Sequence, residues 1–412
     1  MRIDSRFGLA LIPLVLGASL TSPPANRLAL TPPMGWNSWN HFGCNVSDSL
    51  IRGTADAMVS SGMRSAGYQY VVIDDCWQVS RDSKGTIVAD SERFPRGMKA
   101  LADYVHSKGL RFGIYTDAGT KTCQGRPGSY GYEDQDARTY AAWGVDYVKE
   151  DWCNASGLNA RTQYAKFRKA LDKTGRPIVL SICEWGSNQP WEWAPGIGNL
   201  WRTTDDIEDK WASMLVNLDQ SSQHSTLARP GAWNDPDMLE VGNGGMTDDE
   251  YRAHISLWAI QAAPLIAGND LRSMSEATRI ILTNPEVLAV DQDSLGAQGI
   301  LVWEPVPDLQ VWAKPLRNGT HAVVLLNRSA KPDTISAYLS RVGIHTDSAS
   351  VRDLWSHAEI GKVKGRYSAA VKPHSALMLR MIAIGKRPPS AACDVVPGPV
   401  SGAVSAPETG SS

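Results

Sequence analysis

The chain is short of net charge of either sign. Its 41 basic and 43 acidic residues among 412 leave a formal charge of −2, and no long run of lysine or arginine occurs. A nucleic-acid or anionic-membrane footprint is therefore absent, and an uncharged ligand is expected. The 8 histidines are scattered and never at metal-ligand spacing, and none of the 6 cysteines forms a C-x-x-C pair. That argues against a metal site, and no cofactor is expected. No G-x-G-x-x-G or P-loop follows the first β-like run, so the usual nucleotide signatures are missing too. Phenylalanine is scarce, 5 residues against 15 Trp. Tryptophan suits ligands that are apolar on one side and polar on the other, and sugars are such ligands.

What is present reads as a globular protein. With 42% hydrophobic and 20% charged residues, the chain has material for one large domain and a smaller one. The N-terminus, "MRIDSRFGLALIPLVLGASLTSPPAN", places two arginines before an apolar run that gives way to small and polar residues. This is the pattern of a secretory signal peptide, with cleavage near Ala18 or Ser19. Residues 1–25 are assigned to signal peptide and linker, and the protein is expected to be secreted or periplasmic. Cysteine usage fits an oxidising compartment. After Lys386 the chain turns to Pro, Ser, Ala and Gly with nothing to bury, so residues 386–412 are expected to be a disordered tail.

Residues 26–300 alternate two periodicities. The β-like runs are "MGWNSW", "YQYVVIDD", "RFGIYTDA", "DYVKED", "PIVLSIC", "LWRTTDD", "GAWN" and "PLIAG". Between them lie helix-prone stretches such as "SLIRGTADAMVSSGMRSAG", "MKALADYVHSKG", "AKFRKALDKTG" and "YRAHISLWAIQ". Such alternation predicts an α/β fold, a (β/α)8 TIM barrel, with an open doubly wound sheet as the competitor. Over 301–385 the pattern changes to runs such as "LQVWAKPL", "HAVVLLNR" and "SALMLRMI" separated by turns. A C-terminal antiparallel β-sandwich domain is expected there.

The β-like runs end in charge. "VIDD" ends in Asp74 and Asp75, "VKED" in Lys149, Glu150 and Asp151, "ICEW" in Glu184 and Trp185, and "WRTTDD" carries Arg202, Asp205 and Asp206; "WNDPD" adds Asp235 and Asp237. Any one of these acids could be a helix N-cap. Acids after several strands, together with Lys149 and Arg202, exceed what capping requires, and the C-terminal rim of a barrel is where active sites form. With abundant tryptophan and no Ser-His pair, the rim points to glycoside hydrolysis by two carboxyl groups in different environments. The period of two puts Lys149 and Asp151 on one face and Glu150 on the other. On that reading Lys149 keeps Asp151 ionised as a nucleophile, and Asp206 is the acid that protonates the leaving oxygen.

The segments "LALTPPMGWNSWNHFGCNVS", "GYQYVVIDDCW", "FGIYTDAG", "TCQGRPGS", "WGVDYVKEDWCN", "CEWG", "WRTTDDI" and "PGAWNDPDMLEVGNGGMT" resemble the motifs of glycoside hydrolase family twenty-seven, the secreted α-galactosidases. The resemblance runs from about Leu28 to Asp293. It implies a retaining exo-glycosidase that removes terminal α-D-galactosyl residues through a covalent galactosyl-enzyme, with Asp151 as nucleophile and Asp206 as general acid and base. It implies sugar contacts at Trp36, Asp74, Asp75, Tyr115, Cys123, Lys149, Arg202, Asp237 and Met238, with Asp74 and Asp75 on the 4- and 6-hydroxyls. Glu184 is expected to bind a 2-hydroxyl and exclude an acetamido group, and Trp185 to wall the pocket. The implied disulfides are Cys44 with Cys76 and Cys123 with Cys153, leaving Cys183 a buried free thiol and Cys393 free. The expected partner is an α-galactoside carbohydrate, with no nucleic acid and no membrane after signal cleavage; a homo-oligomer is left open.

Glu150 and Asp205 depart from the resemblance, standing where relatives carry an aromatic or apolar and a small residue. Alternation should turn both away from the sugar. Two rival functions belong beside the galactosidase. One is a β-L-arabinopyranosidase on the same site, disfavoured by the complete "IDD". The other is a non-catalytic carbohydrate-binding barrel, disfavoured by the presence of Asp151, Asp206, Lys149 and Arg202 together.

Overall fold

The eight β-like runs form one curled parallel sheet in the computed structural model, which describes residues 28–385. The signal peptide, the tail and Cys393 lie outside the described residues. In chain order the strands are β1 (Met34–Asn37), β2 (Tyr70–Ile73), β3 (Arg111–Asp117), β4 (Tyr147–Asp151), β5 (Val179–Cys183), β6 (Leu200–Arg202), β7 (Trp233–Asp235) and β8 (Leu265–Ala267). Each pairs in parallel with its sequence neighbours from β1 to β7, and β8 returns to pair with β1. Between β7 and β8 the ring is completed by a loop residue. Leu239 donates its N–H to Ile266 O at 2.8 Å and accepts from Gly268 N–H at 3.1 Å. Closure through Leu239 therefore pins the chain immediately after Asp237 and Met238 to the barrel.

The main helices follow the strands where the 3.6-residue period predicts them, at Asp48–Ser60, Gly97–Ser107, Glu133–Trp143, Ala160–Lys173, Trp211–Ser222 and Asp248–Ile260. Their starts are written locally. Ser47 accepts from Leu50 N–H, Asn159 from Thr162 N–H, and Thr247 with Glu250 forms a capping box. Three features escape the sequence pattern. A small hairpin, Gln78–Arg81 with Ile87–Ala89, follows β2, only a four-residue helix at Pro190–Trp193 follows β5, and two short helices follow β8. Each is too short to establish a period.

The barrel interior is built in layers, and the layers explain where the charges go. Tyr70, Val72, Tyr147, Val179, Leu200 and Trp233 form an apolar plug, with the Tyr70 and Tyr147 rings 5.3 Å apart. Two residues further along each of five strands the same face carries Asp74, Lys149, Ser181, Arg202 and Asp235, all toward the C-terminal ends. The plug keeps water out from below. The polar layer above it becomes the floor of a site.

Eight antiparallel strands follow: β9 (Ile300–Val306), β10 (Leu309–Pro315), β11 (His321–Asn327), β12 (Asp333–Tyr338), β13 (Ser348–Asp353), β14 (Ala358–Lys364), β15 (Arg366–Val371) and β16 (Ser375–Ile384). Six form a sheet in the order β9-β10-β11-β16-β13-β14, and β12 pairs with β15 to cover one face. In β10 and β11 both faces are buried. Val311, Val323 and Leu325 fill the sandwich, while Trp312, Val324 and Leu326 join the barrel core. This second contact buries the helix Asp248–Ile260 from Tyr251 onward. The barrel and the β unit thus share one continuous core.

Candidate active site

At the C-terminal ends of the barrel strands opens a cavity of about 450 Å³. Of the residues singled out from sequence, Asp74, Asp75, Tyr115, Cys123, Lys149, Asp151, Trp185, Arg202, Asp206, Asp237 and Met238 line it. Trp36 and Glu184 do not. Trp36 is buried beneath, its indole N–H donating to Asn269 O at 2.7 Å. Glu184 is buried in its own loop, where Oε2 accepts from the backbone and side-chain nitrogens of Asn188, both at 2.6 Å. Burial pushes its carboxyl up to about 7 against those hydrogen bonds. A contact with a 2-hydroxyl would need this carboxyl to leave Asn188.

Asp74 is the most heavily engaged acid. Its Oδ2 accepts from Asn37 Nδ2 at 2.7 Å and Lys149 Nζ at 2.9 Å, and its Oδ1 accepts from Asp75 N–H at 2.9 Å. Lys149 therefore makes its ion pair with Asp74, across two strands, and not with Asp151, as its spacing led us to expect. It still attracts Asp151 through space. Burial is the larger effect, however, and pushes the Asp151 carboxyl up to about 6. Asp75 accepts from Cys76 N–H at 2.6 Å and Gln124 N–H at 3.0 Å, so both disulfide loops lean on it.

Asp206 has the opposite surroundings. Its side chain is 66% exposed at the mouth, and its Oδ1 accepts from Arg202 Nη2 at 2.9 Å. Partial burial raises its carboxyl, but Arg202 and Lys149 outweigh this and hold it below the ordinary value. The buried Arg202 also reaches Asp237 Oδ1 at 3.1 Å and Thr204 O at 3.0 Å. Asp237 has φ 84°, a left-handed conformation held by three further hydrogen bonds. Its N–H donates to Asp235 Oδ1 at 2.9 Å, its Oδ2 accepts from Ile207 N–H at 2.8 Å and its carbonyl accepts from Trp258 Nε1 at 2.7 Å. Cys76 and Trp185 also have positive φ. Backbone strain in this molecule thus gathers partly around the cavity.

Both disulfides implied by the resemblance are formed, Cys44–Cys76 and Cys123–Cys153, and Cys183 is free and buried. Glu150 is buried on the outer face of β4, away from the cavity, with no partner for Oε2. Asp205 is exposed and does not line the cavity.

One acid was not singled out from the sequence. Asp117 ends β3, is buried, and accepts from Gly119 N–H at 2.6 Å and Cys153 N–H at 2.9 Å. Its carboxyl lies within 4.8 Å of that of Asp151 and of the second disulfide. Burial, then the charge of Asp151, pushes it up to about 8. The signal was available, because "IYTD" ends in acid as the other strands do. The far rim of the cavity, with Trp39, Asn40, His41, Glu208, Asp209, Glu240 and Asn243, was also missed, since loop residues carry no periodic signal.

Known proteins give this geometry a context. The family model for alpha galactosidase A matches residues 31–293, and that for the alpha galactosidase C-terminal beta sandwich domain matches 306–381. The chain is 54% identical to alpha-galactosidase 2 of Arabidopsis thaliana, over 86% of this chain and 90% of that one. It is 48% identical to alpha-galactosidase A of Cellvibrio japonicus, over 92% and 99%. The crystal structure of alpha-galactosidase I from Mortierella vinacea superposes with a TM-score of 0.85 at 40% identity, covering 87% of this chain and 98% of that one. Barrel, β sandwich and acid-lined cavity agree with these matches: the chain belongs to the α-galactosidase A family of glycoside hydrolases.

Proposed function

We propose that this enzyme hydrolyses terminal α-D-galactosides with retention of configuration, with Asp151 as nucleophile and Asp206 as acid and base. What carries the reading is a single cavity holding two carboxyls in contrasting surroundings, Asp151 buried over Lys149 and Asp206 exposed beside Arg202. In the first step an Asp151 oxygen attacks the anomeric carbon, the glycosidic bond breaks, and Asp206 gives its proton to the departing oxygen. In the second step Asp206 takes a proton from water as that water displaces Asp151, which restores both groups.

Asp74, already an acceptor for Asn37 and Lys149, and its neighbour Asp75 are proposed to accept from the 4- and 6-hydroxyls. Arg202 spans Asp206 and Asp237, so it orients the acid as well as neutralising it. Trp185 supplies an apolar wall. In this reading residues 26–300 are the catalytic domain and 301–385 a supporting β domain. Two disulfides fit an enzyme outside the cytosol, and we propose export by the N-terminal segment. No helix among the described residues is long and apolar enough to cross a membrane.

The test is turnover of p-nitrophenyl α-D-galactopyranoside beside the β-L-arabinopyranoside and the N-acetyl-α-galactosaminide. Strong cleavage of the first alone, lost in Asp151→Asn, is the expected result. Preference for the arabinoside would overturn the assignment of the 6-hydroxyl contact. Sugar binding with no turnover of any of the three would overturn hydrolysis itself.

A further inference from the structure

The far rim of the cavity is built from loops that the galactose contacts do not use. We propose that it is a second sugar subsite, one that takes a neutral, polyhydroxylated leaving group such as a hexose. The proposal rests on the galactosidase reading above, because that reading decides which side of the cavity the leaving group occupies.

The leaving oxygen must lie beside the group that protonates it. Asp206 is exposed at the mouth, and Glu208 and Asp209, which follow it in the chain, line the same cavity. This loop is fastened to the one after β7. Asp209 accepts from Gly245 N–H at 2.5 Å and from Tyr251 Oη at 2.9 Å, and Tyr251 Oη accepts from Gly244 N–H at 2.7 Å. A Cβ on Gly245 would stand 2.1 Å from Asp209 O, so the two backbones meet with no room for a side chain. The rim is therefore a rigid wall on the leaving-group side of Asp206.

Its chemistry is that of a sugar cradle. Buried Glu240 accepts from the side-chain nitrogen of Asn40 on one oxygen and from Asn243 Nδ2 at 2.6 Å on the other. Asn243 Oδ1 lies 3.3 Å from His41 Nδ1. Glu240 thereby fixes two amides on the cavity wall. Each amide nitrogen makes only this one hydrogen bond among the described residues, which leaves its second N–H for a ligand. Trp39, half-buried on the same wall, offers an aromatic face to the apolar side of a pyranose. The carboxyls of Glu208, Asp209 and Glu240 make the wall unsuited to an anionic leaving group.

The test compares kcat/KM for melibiose with that for p-nitrophenyl α-galactoside in Asn243→Ala and Trp39→Ala. Losing one or two hydrogen bonds to the leaving sugar should lower the melibiose value about tenfold. The ratio of the two values should fall at least about fivefold, because the aryl group makes no such bonds. As a second readout, added glucose should divert less of the galactosyl-enzyme into transfer product in Asn243→Ala than in the unaltered enzyme. Equal losses on both substrates, or an unchanged ratio with unchanged partitioning, would overturn the subsite. Absence of turnover of either substrate by the unaltered enzyme would instead remove the galactosidase reading, and this proposal with it.

Discussion

At the scale of single residues, the two carboxyls set the pH behaviour. Burial holds Asp151 near 6 while Arg202 and Lys149 keep Asp206 below its ordinary value. Between those limits the pair carries one proton, and the productive arrangement has it on Asp206. kcat/KM follows the population of the singly protonated pair, wherever the proton rests. The expected profile has its maximum in the acidic range and falls about tenfold per pH unit well above about 6, as the last proton leaves. A plateau extending past pH 8 would contradict this. The same shift acts on stability. Raising an aspartate from 3.8 to about 6 on folding opposes the folded state by about 3 kcal/mol at neutral pH. This penalty is absent below the unfolded value and grows as pH rises to the folded one. Asp151→Asn should therefore be more resistant to urea than the parent by roughly 2–3 kcal/mol at pH 7, with the gain vanishing near pH 4.

At the scale of elements, the loops after β3 and β4 act as one unit behind the nucleophile. Asp117 binds the first residues of both, Ala118 N–H donates to Asp151 O at 2.9 Å, and the Cys123–Cys153 bridge closes the pair. Gly119 lets the backbones touch, since a Cβ there would lie 2.1 Å from Cys153 O. Gly119→Ala is expected to displace the chain two residues beyond the nucleophile and to lower kcat by about a hundredfold or more, while circular dichroism shows a retained fold. Asp117→Asn keeps the shape but puts an N–H donor where both oxygens now accept, so a smaller loss of kcat with little change in KM is expected. A change confined to KM would mean that these loops hold the sugar and not the nucleophile.

At the scale of the whole molecule, the β unit is joined to the barrel by more than apolar packing. Lys314 is fully buried and donates to Val290 O at 2.7 Å and Ala259 O at 3.3 Å, beside the buried Asp291. At the edge of the contact Arg352 forks onto Glu286 at 2.6 and 2.7 Å. Lys314→Met removes a buried cation that both faces rely on, and should lower unfolding free energy by roughly 3–5 kcal/mol in urea. Unfolding should remain a single transition if the shared core couples the two units. Glu286→Gln, being partly solvated, should cost no more than about 1 kcal/mol.

The sequence by itself determined the strand number, the main helices and the crowding of acid at one rim. These are properties of local period and of strand ends, and each can be read within a dozen residues or so. It also led directly to most of the cavity floor, because residues two beyond an apolar inward position share its face. Only the tertiary structure decided who pairs with whom. Lys149 meets Asp74 instead of Asp151, Glu184 turns to Asn188, and Asn40 meets Glu240 across the closed ring. Such contacts join side chains from different loops, and no local pattern records the distance between loops. That distance is set when β8 returns to β1 and Leu239 completes the barrel.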